Sequence, residues 1–305
     1  MIVRPRPSFI SLLFIVRGSI VPQIVPKVAG IIAVAGVALL LDLWRPQLFE
    51  RNTLAPFTLI GLTLSIFLSF RNNASYDRWW EARRLWGQLI VDVRSLARTI
   101  TALLPDDQDG PVRQRLLRRC VGFCQALEAR LREGDEAAAA APWMPEAERP
   151  ALTRGNPPQA ILCLISANLA EARREGRFGD ALHLGLEERL TSLAGVQAGC
   201  ERIRYTPLPF AYTLLVHRTA YVFCLLLPFG LVGALGFWTP LAAAMVAYTL
   251  FGLDALGDEL EQPFALTQNG LPLKSMVRTV EIDLLTALGE ADIPPPLQPV
   301  DYVLH

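Results

Sequence analysis

The sequence predicts an all-helical membrane protein with a large helical part outside the bilayer. The chain is 52% hydrophobic over 305 residues, which is too apolar for an ordinary soluble protein, while 19% charged residues are too many for a fully embedded one. Charge-free runs at 28–41, 52–70 and 219–253 mark the membrane crossings. Elsewhere, apolar residues recur at steps of three and four, which is typical of amphipathic helices.

The order of these segments predicts five parts. An amphipathic helix that lies along the membrane surface comes first, and two membrane hairpins are separated by a helical region. A C-terminal helix and tail close the chain. The predicted boundaries are 1–27 for the interfacial helix, 28–104 for the first hairpin with its extension, 105–204 for the cytoplasmic helical region, 205–256 for the second hairpin and 257–305 for the last helix and tail.

The second crossing carries the strongest pattern. Nineteen residues from Asn52 to Phe70 contain no charge, enough to span about 30 Å of hydrocarbon at roughly 1.5 Å per residue. Within them Leu62, Ile66 and Phe70 recur every four residues and therefore form one face. From the pattern alone, this face is expected to contact lipid and not to line a lumen, since apolar faces in membranes usually meet lipid.

The same helix is predicted to continue beyond the bilayer, because no proline follows until Pro105. Four arginines after Phe70 place this end in the cytoplasm by the positive-inside rule; they are Arg71, Arg78, Arg83 and Arg84. With short connections between crossings, both termini are expected in the cytoplasm of a bacterial cell with the protein in its inner membrane.

The middle of the chain is predicted to be helical with two interruptions. The segment Pro105–Pro111 indicates a turn before a helix from Val112 to Arg132, and residues 134–158 indicate a surface connection. Helices follow at 159–175 and beyond, the latter with a core stripe made of Leu186, Leu190, Leu193, Val196, Cys200 and Ile203. In the second hairpin, glycines between Gly230 and Gly236 and Pro240 are expected to break the helix on the outer side.

Three motifs in register resemble the bestrophin family of ion channels, over roughly residues 1 to 290. They are the stripe Leu62, Ile66, Phe70 followed by Arg78-Trp79-Trp80, then Pro207-Leu208-Pro209-Phe210-Ala211-Tyr212, and then Asp258-Glu259 with Gln262-Pro263-Phe264. The resemblance implies a bestrophin-like homopentamer with four crossings per subunit. It also implies that five copies of the stripe line the pore as a hydrophobic neck that gates by dewetting, which reverses the lipid-facing expectation.

The sign of the conducted ion follows from the branch of the family. Animal bestrophins resemble anion channels and carry a calcium-binding acidic run after the Pro-Phe pair, whereas bacterial ones resemble monovalent-cation channels. Here Ala265–Gly270 replaces the acidic run. We therefore expect a channel for monovalent cations such as sodium that is not activated by calcium. An anion channel of the same fold and a secondary transporter are the alternatives.

Two further sets of site residues are candidates. The carboxylates Asp254, Asp258 and Glu261 lie at helical spacing and could hold a hard cation, although pairing with Arg202, Arg204 or Arg218 is the simpler expectation. The resemblance also implies a second constriction at the cytoplasmic exit, formed by one residue near the start of the helix before the Pro-Leu-Pro segment. His183, Leu182 and Leu186 are the candidates for that position.

Other functions have little support in the sequence. There is no Gly-rich phosphate loop, no His-Glu-x-x-His and no nucleophile elbow, so an enzyme is not expected. A net charge of zero gives no general attraction to nucleic acid. Cys120 and Cys124 lie one turn apart, but a buried helix face explains them better than a metal. No cofactor or metal is expected, and the partners are lipid, permeant ions and further copies of the chain.

Overall fold

Helices dominate the part of the chain that the computed structural model describes: residues 1–4, 8, 10, 15–16, 18–49, 54–153 and 155–304, without the side chains of residues 48 and 106–108. In chain order the helices are α1 (Val21–Trp44), α2 (Ala55–Leu103), α3 (Asp106–Leu131), α4 (Glu136–Ala140), α5 (Arg149–Leu152), α6 (Pro157–Arg174), α7 (Asp180–Tyr205), α8 (Phe210–Leu235), α9 (Thr239–Glu261) and α10 (Leu273–Ala287). Short 3-10 turns lie at Pro46–Leu48, Ala141–Trp143, Glu146–Glu148 and Gly236–Trp238.

The chain divides into two compact units. The apolar unit comprises Arg4–Trp79 and Pro207–Pro263, and the polar unit comprises Met1–Val3, Trp80–Thr206 and the chain from Phe264 onward. In the apolar unit α1, α8, α9 and the first part of α2 share one core. In the polar unit α3 packs against α6 and α10, and α6 packs against α7.

The long helix predicted from the second crossing is confirmed, since α2 runs without interruption for 49 residues. The helix α1 begins at Val21, inside the segment predicted to lie along the membrane surface. Residues 5–7, 9, 11–14 and 17 of this segment lie outside the described residues. Two stretches are long and apolar enough to cross a membrane by length and composition, Val21–Trp44 and Phe210–Glu261, the second of which contains α8 and α9.

The predicted turn at Pro105–Pro111 was wrong. Helix α3 already begins at Asp106, directly after Pro105, and Pro111 lies inside it. Asp109 lies near the start of this helix, where a negative charge interacts favourably with the helix dipole, and the helix continues through Pro111 although that residue cannot donate a backbone hydrogen bond. Asp109 in this first part of α3 also pairs with Arg177. The break between α2 and α3 is therefore much shorter than the proline and aspartate content indicated.

Residues 134–158 pack against α3 instead of forming only a surface connection. Ala140, Met144 and Leu152 in this segment are buried. A Cβ atom at Gly122 of α3 would stand 3.3 Å from the Cβ atom of Trp143, so a glycine allows the close approach. The core stripe predicted for α7 is confirmed, because all six of its residues are buried.

The break in the second hairpin lies at Gly236, whose φ of 49° falls in the left-handed region that favours glycine. Gly230 lies within α8, where a Cβ atom would come within 2.4 Å of the Phe57 ring, so this glycine serves close packing. Helix α9 extends to Glu261 and thus includes the predicted boundary at residue 256. The two chain ends meet in the polar unit, where the Leu304 amide donates to the Met1 carbonyl at 2.8 Å.

Candidate ion-conducting site

The stripe on α2 is exposed in the single chain. Leu62, Ile66 and Phe70 are 61%, 47% and 62% exposed. On the opposite side of the same helix Leu64 and Leu68 are buried in the core of the apolar unit. Helix α2 therefore uses one narrow face for packing within its own chain and leaves the predicted neck residues uncovered, so that lipid, a lumen or another copy of the chain must meet them.

The hydroxyl groups near the stripe are satisfied within the helix. The Thr63 side chain donates to the Leu59 carbonyl at 2.9 Å, and the Ser65 side chain donates to the Gly61 carbonyl at 2.8 Å. Such bonds to the preceding turn let serine and threonine lie in apolar surroundings. The exposed surface around the stripe is thus chemically apolar, which suits a hydrophobic constriction.

A buried arginine follows the stripe directly. Arg71 is fully buried, and its Nη1 atom lies 2.8 Å from Asp254 Oδ1 on α9. Its Nη2 atom pairs with Asp258 and lies 3.6 Å from Glu261 Oε2. One guanidinium thus faces three carboxyl groups from the last helix of the apolar unit, which we call the Arg71 cluster.

Further contacts of the apolar unit fix the Arg71 cluster in place. His217 Nδ1 lies 2.7 Å from Asp254 Oδ2, and the Leu208 amide donates to Glu261 Oε1 at 3.2 Å. A Cβ atom at Gly257 would stand 2.5 Å from the Asn72 side-chain oxygen, so the glycine allows α2 and α9 to approach closely. The pore-helix candidate is therefore attached to α9 by charge, hydrogen bonds and close packing.

The structure changes the interpretation of the three candidate cation ligands. Asp254, Asp258 and Glu261 surround Arg71, and the prediction that they pair with Arg202, Arg204 or Arg218 missed this partner. Arg202 and Arg204 instead pair with Glu81 and Glu133. Within the described ranges, no group of three or more side chains has the composition and proximity to hold a metal ion.

Arg71 could have been found from the sequence. Three carboxylates at positions 254, 258 and 261 lie on one helical face that borders a membrane crossing, and such a face requires a cation nearby. The first charge after the apolar run of α2 is that cation. Treating all four arginines after Phe70 only as markers of membrane orientation hid this pairing.

The three candidates for the second constriction differ in burial. Leu182 is 46% exposed, while Leu186 is buried in the polar unit. His183 is half-buried, and its ring stacks against Phe178 at 6.4 Å between centroids. Among the three, Leu182 presents the most side-chain surface outside its own chain.

A second arginine, Arg132, holds the turn that follows Phe264. Its Nε atom donates to the Phe264 carbonyl at 3.3 Å and its Nη2 atom to the Leu271 carbonyl at 3.0 Å. Nη1 pairs with Glu128 at 2.8 Å. Burial lowers the pKa of the Arg132 guanidinium, with Glu128 acting in the opposite direction. The Arg132 guanidinium thus binds the carbonyl oxygens of the two residues that flank Ala265–Gly270.

The cysteine pair of α3 is part of the core. Cys120 and Cys124 are both buried. Burial raises the pKa of the Cys120 thiol to about 12 and that of Cys124 well above its ordinary value. Because the thiolate is the metal ligand and the nucleophile, these residues are inert packing groups.

Comparison with known proteins identifies the family. The model of the bacterial and fungal bestrophin proteins matches residues 1–286. A voltage-dependent anion channel-forming protein of Mesorhizobium japonicum is 47% identical over 302 residues, covering 99% of this chain and 96% of that protein. YneE of Escherichia coli K12, also described as a voltage-dependent anion channel-forming protein, is 40% identical over 300 residues, with 98% of each chain covered.

Solved structures agree with these relatives. The crystal structure of a bacterial bestrophin homolog from Klebsiella pneumoniae superposes with a TM-score of 0.84 at 37% identity, covering 88% of this chain and all of that chain. The expectation of an all-helical bestrophin fold is confirmed at this level. The expectation of a channel family and not an enzyme is confirmed as well.

The expected preference for monovalent cations was wrong. It depended on a general resemblance to the bacterial branch, whereas the relatives that share 40 to 47% of their residues with this chain are described as anion channels. An apolar stripe cannot reveal the sign of the ion, because it dehydrates cations and anions alike. From the family match over residues 1–286 and the full-length relatives, we conclude that the chain belongs to the bestrophin family of bacterial channel-forming membrane proteins.

Proposed function

We propose that five copies of this chain form an anion channel in the bacterial inner membrane, with a hydrophobic neck of Leu62, Ile66 and Phe70. The observation that carries the neck is the exposure of all three side chains on one face of α2, while the opposite face is buried. One helix provides only one part of a pore wall, so several copies are needed around the axis. Five is the number that the bestrophin resemblance implies.

The topology of the proposed channel has four crossings, with both termini in the cytoplasm. Helices α1, α8 and α9 and the first part of α2 supply the four apolar segments. The meeting of the two chain ends in the polar unit is consistent with their lying on the same side of the membrane. The arginine-rich continuation of α2 favours the cytoplasm for that side.

Two observations support an anion as the permeant ion. The similar proteins are described as anion channel-forming, and α2 carries exposed arginines. Arg84 and Arg98 are exposed and lie fourteen residues apart in the polar unit, which is close to four helical turns. Exposed Val91 lies midway between them on the same face. If this face borders the ion pathway, ten guanidinium groups in a pentamer would raise the local concentration of anions.

The channel is proposed to work without calcium. The carboxyl groups of the Arg71 cluster are engaged by a guanidinium, and Arg132 takes up carbonyl oxygens of the turn after Phe264. A hard cation would have to displace an arginine at either place. We expect a micromolar calcium step to leave the current unchanged, and a several-fold opening by calcium would contradict this part of the proposal.

Reversal potentials in planar bilayers test the sign of the ion. Under a sodium chloride gradient, the current of the purified protein should reverse near the equilibrium potential of chloride. Reversal near the sodium potential would refute anion selectivity while leaving the channel intact. Absence of any conductance at normal protein incorporation would refute the channel itself.

The neck is tested by replacing Leu62, Ile66 and Phe70 together with alanine. Wider and more easily wetted rings should raise the open probability several-fold without dissolving the oligomer. The matched control is Ile60→Ala with Phe67→Ala, which removes exposed apolar side chains from a different face of the same segment. Equal currents from both variants would show that the stripe is not the barrier.

The second constriction is proposed to involve Leu182, since it is more exposed than Leu186 and does not stack on its own chain as His183 does. Leu182→Ala should increase single-channel conductance or change the relative permeability of large and small anions. His183→Ala serves as the control at the neighbouring position. A larger effect from His183→Ala would assign the constriction to the imidazole.

A further inference from the structure

An arginine-lined pocket in the polar unit includes none of the residues proposed for the ion pathway or for the Arg71 cluster. One wall is a single face of α3, since its residues follow one another at steps of three and four: Pro111, Gln114, Arg115 and Arg118. The opposite wall is the segment Pro142–Pro145 with the half-buried Trp143. The pocket has a volume of about 440 Å³, within the range of small-molecule sites.

The structure already holds one carboxylate at the edge of this pocket. Glu290 Oε1 lies 2.6 Å from Arg118 Nη2 and 3.4 Å from the Gln114 side-chain nitrogen. Its hydrogen bond to Arg118 lowers the pKa of Glu290, with the charge of Arg118 acting in the same direction. Arg118 and Gln114 therefore have the geometry to receive a carboxylate group.

The position of Glu290 is set by the end of α10. Gly289 adopts a φ of 69°, and the Glu290 amide donates to the Leu285 carbonyl at 3.1 Å. Together with the Gly289 amide, which donates to the Thr286 carbonyl at 3.0 Å, this forms a Schellman cap. This helix cap therefore fixes the position of the Glu290 carboxylate, at the point where the C-terminal tail begins.

Two arginines on the α3 side of the pocket carry donors without a partner within the described ranges. The Nε atom of Arg118 is buried and has no hydrogen-bond partner among the described residues. Arg115 is exposed, and no ion pair is found for it in the described part of the chain. One pocket therefore combines the exposed guanidinium of Arg115 with an indole ring, a methionine and three prolines.

From these features we infer that the pocket binds a small carboxylate carried on a flat apolar ring. Arg115 and Arg118 bind the carboxylate, because guanidinium groups present donors in a fork that matches it. The ring lies against Trp143 and the neighbouring prolines, which supply apolar surface. Glu290 is an internal competitor, so that binding releases the start of the tail from α3.

Three probes separate the two parts of this recognition in the full-length protein in lipid nanodiscs. Indole-3-acetate carries both the ring and the carboxylate, acetate carries only the charge, and indole-3-ethanol carries only the ring. Calorimetric titration should detect indole-3-acetate binding, with each of the other two weaker by about tenfold or more, the scale of one charge-assisted hydrogen bond. Equal binding of indole-3-ethanol would refute the role of the arginines.

Variants assign the binding to the pocket. Arg115→Gln should weaken indole-3-acetate binding by about tenfold while it leaves the pair between Arg118 and Glu290 intact. Glu290→Gln should strengthen binding by about threefold, since the competitor is a partly exposed ion pair of modest strength. Asp283→Asn is the matched control on α10, because Asp283 pairs with Arg94 and does not line the pocket.

The outcomes decide the proposal independently of channel activity. Binding that is unchanged in Arg115→Gln, or that weakens in Glu290→Gln, would overturn it. So would the absence of binding to both the unmodified protein and Glu290→Gln, whose melting temperatures report that they are folded. The bilayer recordings test the proposed function separately, so either proposal can fail alone.

Discussion

Two deeply buried arginines, one in each unit, are paired in different ways. In the polar unit Arg119 meets one carboxylate, Glu148, at 3.0 Å from its Nε atom, and its Nη1 atom donates to the Leu164 carbonyl at 2.9 Å and to the Asn168 side chain. Arg119 thus forms a one-to-one ion pair with Glu148, and neutral oxygen atoms accept its remaining hydrogen bonds. In the apolar unit Arg71 faces three carboxyl groups of α9.

The difference teaches which carboxyl groups are individually necessary. Glu148 is the sole carboxylate found at Arg119 among the described residues, so its loss would leave a buried cation with neutral acceptors only. Arg71 would keep two carboxyl groups after the loss of any one. The Arg71 cluster also adjoins Phe70 of the proposed neck, whereas Arg119 joins α3 to α6 and to the segment before α5.

The largest effect is expected from Arg71→Met. Three carboxyl groups would lose their buried cation, and breaking a buried pair in this way costs about 3–5 kcal/mol. Thermal unfolding of the purified protein measures the loss, and Arg84→Met provides the control because Arg84 is exposed on the same helix. Similar melting temperatures for the two variants would show that the Arg71 cluster does not stabilise the apolar unit.

A somewhat smaller loss is expected from Glu148→Gln. The substitution keeps the shape of the side chain but removes the charge that compensates Arg119, at a cost of about 3 kcal/mol. The melting temperature should fall, and protection of α3 and α6 from hydrogen exchange should decrease with it. An unchanged melting temperature would mean that Leu164 and Asn168 suffice to satisfy the buried guanidinium.

The negative charge of Glu281 is largely buried and only weakly compensated by a cation. Its partner is the Arg278 Nε atom, 3.4 Å from Glu281 Oε2. Burial raises the pKa of Glu281, while Arg278 opposes the shift. A carboxyl group whose pKa is higher in the folded state than in the unfolded state favours folding at pH values below its unfolded-state pKa. This contribution is lost as the pH rises through its folded-state pKa. Glu281→Gln should therefore stabilise the protein at pH 7, by on the order of 1 kcal/mol, and not at pH 4. Equal stabilisation at both pH values would contradict this linkage.

Asp258→Asn should have a smaller effect on stability than Glu148→Gln. Asp258 is 56% exposed, and Arg71 retains Asp254 and Glu261. The loss should remain below about 1 kcal/mol, as for an exposed ion pair. A loss as large as that of Glu148→Gln would disprove the redundancy of the three carboxyl groups.

The smallest stability change is expected from Arg84→Gln with Arg98→Gln, because neither exposed arginine has an ion pair among the described residues. The reversal potential under a salt gradient should nevertheless shift toward the nonselective value, since fewer cationic groups would attract anions. Stability and selectivity would then be carried by different arginines. A reversal potential identical to that of the unmodified protein would exclude these arginines from anion selection.

The sequence by itself determined the features that depend on local spacing. The continuous helix α2 follows from the absence of proline between Pro56 in its first turn and Pro105, and the core stripe of α7 follows from apolar residues at steps of three and four. Three short motifs in order also identified the family. These features could be read because each depends on residues within a few turns of one another.

Only the tertiary structure decided which charges meet. Arg71 and Asp254 are 183 residues apart, and no local pattern shows that α2 and α9 approach at Gly257. The same applies to Arg132 and the carbonyl group of Phe264, which are 132 residues apart. Helical periodicity determines which face of a helix a side chain occupies, but a buried charge is satisfied by whichever partner packing brings within a few ångströms.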